Sequence, residues 1–265
     1  GGGCDDSHNG DRDAFVLKLD SAGEHVWSTY LGGADSESGY GIAVDYNGYV
    51  CVTGDTGSSQ WEGMGFRAGY GGGESDAFVT KLSSDGVHIW STLLGGNDSD
   101  SGGSIAVHPS AAFYYVTGST KSIGWTSGGF DIRYNGSAKD AFVAMLADDG
   151  VCLESAYIGG AQGDYGTCIT VDSAGGVCIA GTTNSVDLVG GGFDCTYNGG
   201  EADGFVLRFD HDYEAPSHWS TYIGGADLDL PGAVVVDASG NSYITGVAES
   251  SGWASGGFET DHKGA

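Results

Sequence analysis

Basic residues and proline are scarce in this chain of 265 residues. Lysine and arginine number 9 against 36 aspartates and glutamates, and the formal net charge is -27. Such a charge repels phosphate backbones and anionic lipid, so we expect no nucleic-acid partner. No apolar run approaches the roughly 18 residues that a membrane span requires, so we expect no membrane insertion.

Catalytic motifs are also missing. The 7 histidines form no H-E-x-x-H or other metal-ligand spacing, and neither a G-x-S-x-G elbow nor a P-loop occurs. Glycine, in contrast, is abundant: the chain has 51 glycines and only 3 prolines. The glycines follow no Gly-X-Y period, which excludes collagen, and 40% apolar residues argue against disorder. We therefore predict a folded protein that is not an enzyme.

One four-residue phrase recurs at a nearly constant spacing. Asp-Ala-Phe-Val begins at Asp13, Asp76 and Asp140, and Asp-Gly-Phe-Val begins at Asp203. The repeats run over 13–75, 76–139, 140–202 and 203–265, each about 63 residues long. Because residues 1–12 imitate the end of a repeat, they are interpreted as the tail of a preceding repeat and the chain as part of a longer array.

Each repeat contains four short runs with strand-like patterns. In the first repeat they are Ala14–Leu19, His25–Leu31, Gly41–Asp45 and Tyr49–Thr53. Asp20-Ser-Ala-Gly23 and Asp45-Tyr-Asn-Gly48 are typical of tight hairpin turns. Four antiparallel strands per repeat predict an all-β fold, a β-propeller with one blade per repeat, alone or within a larger ring. A stacked β-solenoid is the alternative, although its turns are usually much shorter.

Several phrases resemble a known family. Asp-Ala-Phe-Val-x-Lys-Leu, Trp-Ser-Thr-Tyr-Leu-Gly-Gly, Gly-Ile-Ala-Val-Asp and Val-Thr-Gly are similar to the SBBP-type β-propeller repeat of mostly secreted or surface proteins. The resemblance implies an extracellular or cell-surface propeller and supplies no catalytic residues. The long loop departs from that pattern, because Gly124–Phe130 lacks the prolines that the family usually carries there. Loop conformation and ligands are therefore not transferred.

Acidic residues follow the Gly-Gly pair of each repeat. They are Asp35, Glu37, Asp98, Asp100, Asp164, Asp227 and Asp229. A D-x-D-x-G spacing can surround calcium with carboxylate oxygens, although the distant glutamate of an EF-hand is missing. The alternative is that these acids cap turns by accepting backbone hydrogen bonds. The recurring Asp13, Asp76, Asp140 and Asp203 are interpreted as structural, satisfying backbone donors where one repeat meets the next.

Tryptophan occurs in two columns of the repeat. Trp27, Trp90 and Trp219 are predicted to pack between blades. Trp61, Trp125 and Trp253 lie in the long glycine-rich loops, where they either stack on a sugar or cover apolar strand ends.

Cysteine and asparagine add two further expectations. Cys4, Cys152, Cys168 and Cys195 are disulfide candidates for an oxidising compartment, and the pairing is not deducible. Cys51 and Cys178 share a column with Tyr115 and Tyr243 and are predicted to be buried thiols. Asn97 and Asn135 begin N-glycosylation sequons.

Two hypotheses for the function follow. The first is a structural or adhesive extracellular module that contacts like chains or a matrix. The second is a glycan-binding lectin that uses the tryptophan and aspartate loops.

Overall fold

The computed structural model describes residues 5–61, 70–110, 112–129, 131, 133–136, 138–188, 191–210, 219–257 and 260. Within these ranges the chain forms sixteen β-strands and no helix. The strands are β1 (Ala14–Leu19), β2 (His25–Leu31), β3 (Glu37–Val44), β4 (Val50–Thr56), β5 (Asp76–Leu82), β6 (His88–Leu94), β7 (Asp100–Val107), β8 (Phe113–Thr120), β9 (Asp140–Ala147), β10 (Cys152–Ile158), β11 (Asp164–Val171), β12 (Val177–Thr183), β13 (Asp203–Phe209), β14 (Trp219–Ile223), β15 (Asp229–Val236) and β16 (Ser242–Ala248). The prediction of an all-β fold is confirmed. In the described part of the chain, no helix has the length and apolar character that crossing a membrane would demand.

Tight turns close the hairpins where the sequence places them. The amides of Gly23 and Gly48 donate to the carbonyls of Asp20 and Asp45, at 3.1 and 2.9 Å. Both glycines have φ near +80°, the left-handed region that other residues avoid. The aspartate that opens each turn accepts further backbone hydrogen bonds through its side chain, as Asp45 does from Asn47 and Tyr49. These Asx interactions fix the turn and hence the register of both strands.

The sheets do not coincide with the sequence repeats. The three complete sheets have the strand orders β3-β4-β5-β6, β7-β8-β9-β10 and β11-β12-β13-β14. Each therefore takes its first two strands from one repeat and its last two from the next. The first two strands and the last two strands in chain order form the two-stranded sheets β1-β2 and β15-β16. Consecutive repeats are joined by main-chain hydrogen bonds as well as by packing.

The sheets pack in a row. Strand β3 packs against β7, β7 against β11, and β11 against β15, so the same strand of each repeat meets its equivalent in the next. Buried side chains from neighbouring sheets fill the space between them, including Phe78, Phe142 and Phe205, all 0% exposed. This repeated packing supports the predicted organisation. Closure into a ring and a count of four blades remain predictions.

Tryptophan side chains connect the first repeat to the second and the second repeat to the third. The indole N–H of Trp27 donates to the carbonyl of Ser84 at 3.0 Å, and that of Trp90 donates to Asp148 at 2.9 Å. Both acceptors lie in the first hairpin turn of the following repeat. A β-carbon added to Gly86 in that turn would lie 2.8 Å from the Trp27 ring, so glycine alone permits this approach. The packing role predicted for Trp27 and Trp90 is confirmed.

Candidate functional site: the acidic loop face

The Gly-Gly loops, 32–36, 95–99, 159–163 and 224–228, precede the third strand of each repeat, and the long loops follow the fourth strand. Antiparallel strands bring both sets of loops to the same edge of the sheets, which we call the acidic loop face. The second acid of each Gly-Gly loop opens the third strand and is buried. These acids are Glu37, Asp100, Asp164 and Asp229, exposed by 2, 0, 0 and 3%.

The buried acids hold the Gly-Gly loops in shape. Each accepts a hydrogen bond from the amide of the second glycine four residues earlier. The pairs are Gly33 to Glu37 at 2.8 Å, Gly96 to Asp100 at 2.9 Å, Gly160 to Asp164 at 2.9 Å and Gly225 to Asp229 at 2.8 Å. This is the turn-capping role that the sequence left as the alternative to calcium binding.

In the first three repeats a threonine at the end of the fourth strand donates a further hydrogen bond to the buried carboxylate. Thr56 donates its hydroxyl to Glu37 at 2.7 Å, and Thr120 and Thr183 donate to Asp100 and Asp164. The fourth repeat has Ala248 at that position.

Because the fourth repeat lacks this threonine, one carboxylate oxygen of Asp229 lacks a hydrogen-bond donor. Its Oδ1 atom is buried and has no hydrogen-bond partner among the described residues. Of the four buried acids, Asp229 is therefore the one with a carboxylate oxygen that accepts no hydrogen bond in the described part of the chain.

The first acid of a Gly-Gly loop differs from the second acid in its exposure to solvent. Asp35, Asp98 and Asp227 are exposed, whereas the acid two residues later is buried in each case. Residues two apart in a strand share a face, so the difference arises because the first acid lies in the loop and the second acid opens the strand. Within the ranges that the structure describes, no three His, Cys, Asp or Glu side chains converge into a metal-binding group. Calcium binding stays a prediction.

A second series of acids precedes or opens the first strands. One oxygen of each accepts an amide from the long loop just before it: Asn9 to Asp13 at 2.9 Å, Gly71 to Asp76 at 2.6 Å, Asn135 to Asp140 at 3.1 Å and Asn198 to Asp203 at 2.8 Å. The predicted structural role of these aspartates is confirmed. Their other oxygen, Oδ1, is buried in all four repeats and finds no hydrogen-bond partner in the described part of the chain.

The two series of acids lie on either side of the Gly-Gly pair. A β-carbon added to Gly32 would lie 2.5 Å from Asp13 Oδ1 and 2.7 Å from Glu37 Oε2. At Gly159 the corresponding neighbours are the carboxyl groups of Asp140 and Asp164, both at 2.9 Å. Each of these repeats thus holds two carboxyl groups close together with little access to water.

Burial is the main cause of the raised pKa values in this series. It raises the pKa of Asp76 and of Asp203 to about 6 and that of Asp140 to about 7, against an ordinary value of 3.8. Amide hydrogen bonds from the long loops oppose the shift, and the neighbouring charges of Asp100, Asp164 and Asp229 add to it. Near neutral pH these groups are the most readily protonated carboxyls of the face.

Calcium is expected to raise the melting temperature more than sodium chloride at equal ionic strength. A cation bound only by the folded chain contributes RT ln(1 + [L]/Kd), about 2.7 kcal/mol at a hundredfold excess over Kd. Sodium acts by screening alone. Thermal melts of the wild type and of Asp98→Asn test this, because Asp98 is exposed and its replacement leaves the buried acid Asp100 in place. Equal shifts with both salts, or an unchanged calcium shift in the variant, would show that the acids only solvate the surface.

The long-loop tryptophans fall into two groups. Trp61 is 3% exposed, its ring meets Phe78 edge-on at 4.9 Å, and its N–H donates to Thr56 at 3.1 Å. Trp125 repeats this arrangement on Phe142 at 5.2 Å. Trp253 is 42% exposed. The first two rings cover apolar strand ends, which was the alternative to a sugar platform.

The cysteines and sequons are placed as follows. Cys152, Cys168 and Cys195 carry free thiols in the structure, Cys168 being buried and the other two exposed. Cys4 lies outside the described residues. Asn97 and Asn135 are exposed.

The acidic loop face also has a polar cavity that the sequence did not predict. It has a volume of about 540 Å³. Its lining includes Asp35, Asp55, Glu74, Tyr40 and Tyr70. Tyr40 donates its hydroxyl to Asp55 at 3.3 Å. Asp55 and Glu74 stand outside the repeated phrases. Asp55 reaches this cavity because β4 pairs with β3, and Glu74 lies just before β5.

Comparison with known proteins gives two findings. Residues 26–59, which cover the second to fourth strands of the first repeat, match the family model of the SBBP beta-propeller repeat. The resemblance seen in the sequence is confirmed for that segment. The regulatory protein FlaEY of Caulobacter vibrioides is 30% identical over 143 residues, which are 53% of this chain and 15% of that protein. The matched part of the chain spans a small fraction of that relative.

Proposed function

We propose that this chain is a non-enzymatic structural module of a cell surface or extracellular matrix. In this proposal it is a β-propeller of four blades, alone or within a larger ring or array. It presents a rigid surface, which includes the acidic loop face, to like chains, matrix or glycans.

The offset between repeats and sheets is the observation that carries the proposal. Each complete sheet needs strands from two consecutive repeats, and the half-sheets β1-β2 and β15-β16 expose apolar side chains such as Phe15, Leu17 and Val247, at 70, 47 and 59%. Exposed apolar side chains at a sheet edge are typical of surfaces that take up a further strand, whether from the same protein or from another chain. Repeat proteins gain stability from each neighbour added, which suits a building element.

The serine–histidine contacts of the chain favour a structural role over catalysis. His88 Nε2 lies 2.9 Å from Ser91 Oγ, a pair that a nucleophilic enzyme would need. Ser91, however, is 0% exposed and also bonds Thr80 at 3.0 Å, so no substrate carbonyl can reach its hydroxyl. The first repeat has the same contact between His25 and Ser28 at 3.2 Å. We interpret the recurring pair as part of the strand packing.

Electron cryomicroscopy of the protein in its native material tests the proposal. We expect ordered filaments or sheets in which this chain is a repeating unit, and no saturable signal on a glycan array. Saturable binding of one glycan class that is lost in Trp253→Ala would instead favour the lectin hypothesis. Isolated particles without lateral or end contacts would contradict the structural role.

A further inference from the structure

The side chain of Lys81 in β5 is buried between two acids. It is 3% exposed, and its Nζ atom lies 2.5 Å from Oδ1 of Asp148 and 3.7 Å from Oδ2 of Asp45. The Asp45 side chain is equally buried, whereas that of Asp148 is 59% exposed. A buried ammonium group is costly unless it is paired, so the fold keeps this amine in contact with carboxyl groups.

Tyr114 in β8 bridges the two acids. Its hydroxyl donates to Oδ1 of Asp148 at 2.9 Å or to Oδ2 of Asp45 at 3.1 Å, and the residue is 0% exposed. The Nζ atom of Lys81 lies over the rings of Tyr49 and Tyr114, 4.4 and 5.1 Å from their centroids. An amine, a carboxyl carbon, a second carboxylate and a hydroxyl donor thus meet at one place.

These groups come from different repeats and from two sheets. Asp45 directly follows β3 and Lys81 lies in β5, and both strands belong to the sheet β3-β4-β5-β6. Asp148 lies in the turn between β9 and β10, where its main-chain carbonyl accepts the indole N–H of Trp90 at 2.9 Å. A covalent bond between Lys81 and Asp148 would therefore join one sheet to the next.

The same combination is not repeated at the equivalent positions. The column of Lys81 holds Lys18, Lys81, Met145 and Arg208. Lys18 donates to the main-chain carbonyl of Ser84 at 2.7 Å, and Ser84 occupies the turn position that Asp148 occupies one repeat later. Arg208 pairs with Asp172, and its guanidinium group, which stays protonated, is not a nucleophile. Among the described residues, a lysine and both acids therefore meet between the second and third repeats alone.

We propose that Lys81 and Asp148 condense to form an isopeptide bond, in a reaction that Asp45 and Tyr114 assist. The bond is an amide between Nζ of Lys81 and Cγ of Asp148, and one water is released. This modification concerns the covalent structure of the chain, so it goes beyond the proposed surface role and does not depend on it.

The reaction needs no oxidant and no further reactant. A proton first passes from the Nζ ammonium group to the Asp148 carboxylate, which leaves a neutral amine beside a carboxylic acid. The Nζ lone pair then attacks Cγ, and the hydroxyl of Tyr114 donates to the oxygen that gains negative charge. Asp45 accepts a proton from Nζ and gives it to the departing hydroxyl group. The Nζ–Cγ bond has then formed, one Cγ–O bond has broken, and the hydroxyl group leaves as water.

The fold supplies the proximity that this condensation needs. Because a carboxyl C–O bond is about 1.2 Å long, Cγ of Asp148 lies at most about 3.7 Å from Nζ of Lys81. Well-oriented intramolecular reactions reach effective concentrations of about 10⁵–10⁸ M. The exposed side of Asp148 lets the released water leave. The hydrogen bond from Lys81 lowers the pKa of Asp148, so the resting pair is ionic and the first proton transfer makes the reaction slow.

Intact-mass spectrometry of the reduced protein tests the proposal. After incubation of the folded wild type, we expect a mass about 18 Da below that of the sequence, which is the loss of one water. Trypsin should then fail to cleave after Lys81 and should release residues 68–121 joined to residues 140–208. Protein that is kept unfolded in urea should retain its full mass, because the reacting groups no longer meet.

Two identical substitutions separate the reacting lysine from its equivalent. Lys81→Arg keeps the positive charge beside Asp148 and should abolish the mass loss, since a guanidinium group is not a nucleophile. Lys18→Arg, at the same position of the first repeat, should lose water as the wild type does. Asp45→Asn keeps an oxygen for the turn amides and removes the proton acceptor, so water loss should slow by about a hundredfold or more.

Three outcomes would overturn the inference. A folded wild type that keeps its full mass would show that Lys81 and Asp148 remain an ion pair. A loss of about 18 Da within a single tryptic peptide would be a dehydration of the neighbouring Asp149-Gly150 sequence. A mass loss that persists in Lys81→Arg would place the bond at another amine. The proposed surface role would stand in each case.

Discussion

Replacing Phe142 with alanine is expected to lower the free energy of unfolding by about 3–5 kcal/mol. The ring is 0% exposed and lies between Gly118 and the ring of Trp125, whose centroid is 5.2 Å away. Its removal leaves a cavity within a joint between two repeats, where the rigid strands cannot collapse to fill it. Urea unfolding of dilute protein measures the change.

Phe15→Ala is the matched control, because it is the same substitution at the same position of the repeat. The Phe15 side chain is 70% exposed, so we expect its loss to alter the free energy of unfolding by less than about 0.5 kcal/mol. A comparable loss in both variants would mean that β1 is covered in the dilute chain. The unpaired edge of the structure would then not exist in solution.

Lowering the pH from 8 to 5 is expected to stabilise the fold. Burial raises the pKa of Asp76 and Asp203 to about 6 and that of Asp140 to about 7. The folded chain therefore binds protons that the unfolded chain, with pKa values near 3.8, releases. This stability is fully present below about pH 4 and is lost as the pH rises through about 6 and 7. For Asp140 alone the loss reaches roughly 4 kcal/mol at most, since one pKa unit corresponds to about 1.4 kcal/mol.

Asp140→Asn tests the assignment to a particular group. Asparagine keeps an oxygen for the amide of Asn135 and carries no charge, so the variant should be more stable than the wild type at pH 8 and should depend less on pH. The exposed Asp98→Asn should leave the slope of stability against pH nearly unchanged. A wild-type stability that rises between pH 5 and pH 8 would contradict the raised pKa values.

The strands of the first repeat show which strand boundaries a sequence pattern can predict and which it cannot. The predicted Ala14–Leu19 and His25–Leu31 agree with the structure, because alternating β-branched and aromatic residues mark them. The third strand was predicted from Gly41 and begins at Glu37, since the glycines at 39 and 41 are typical of a loop. A β-carbon at Gly41 would lie 2.8 Å from the Cα of Ser104 in β7. The glycine is there because another sheet approaches, which is a tertiary reason that a local pattern does not contain.

The candidate site was predictable in position and less so in geometry. The spacing of Asp98 and Asp100 placed two acids after the Gly-Gly pair, but not that one is exposed and the other buried. That difference depends on where β7 begins. The offset of the sheets was not predictable either, because a perfect repeat gives the same pattern whichever strand a sheet starts from.

The shared strand register of the joints between repeats bears on how such a gene can change. Removal or duplication of about 63 codons, starting at any point of the repeat, rejoins strands that already fit one another. Every remaining complete sheet keeps four strands. Unequal crossing-over can thus lengthen or shorten the protein without a new interface having to evolve. Selection can then act on the number of sheets, and hence on the length of the protein.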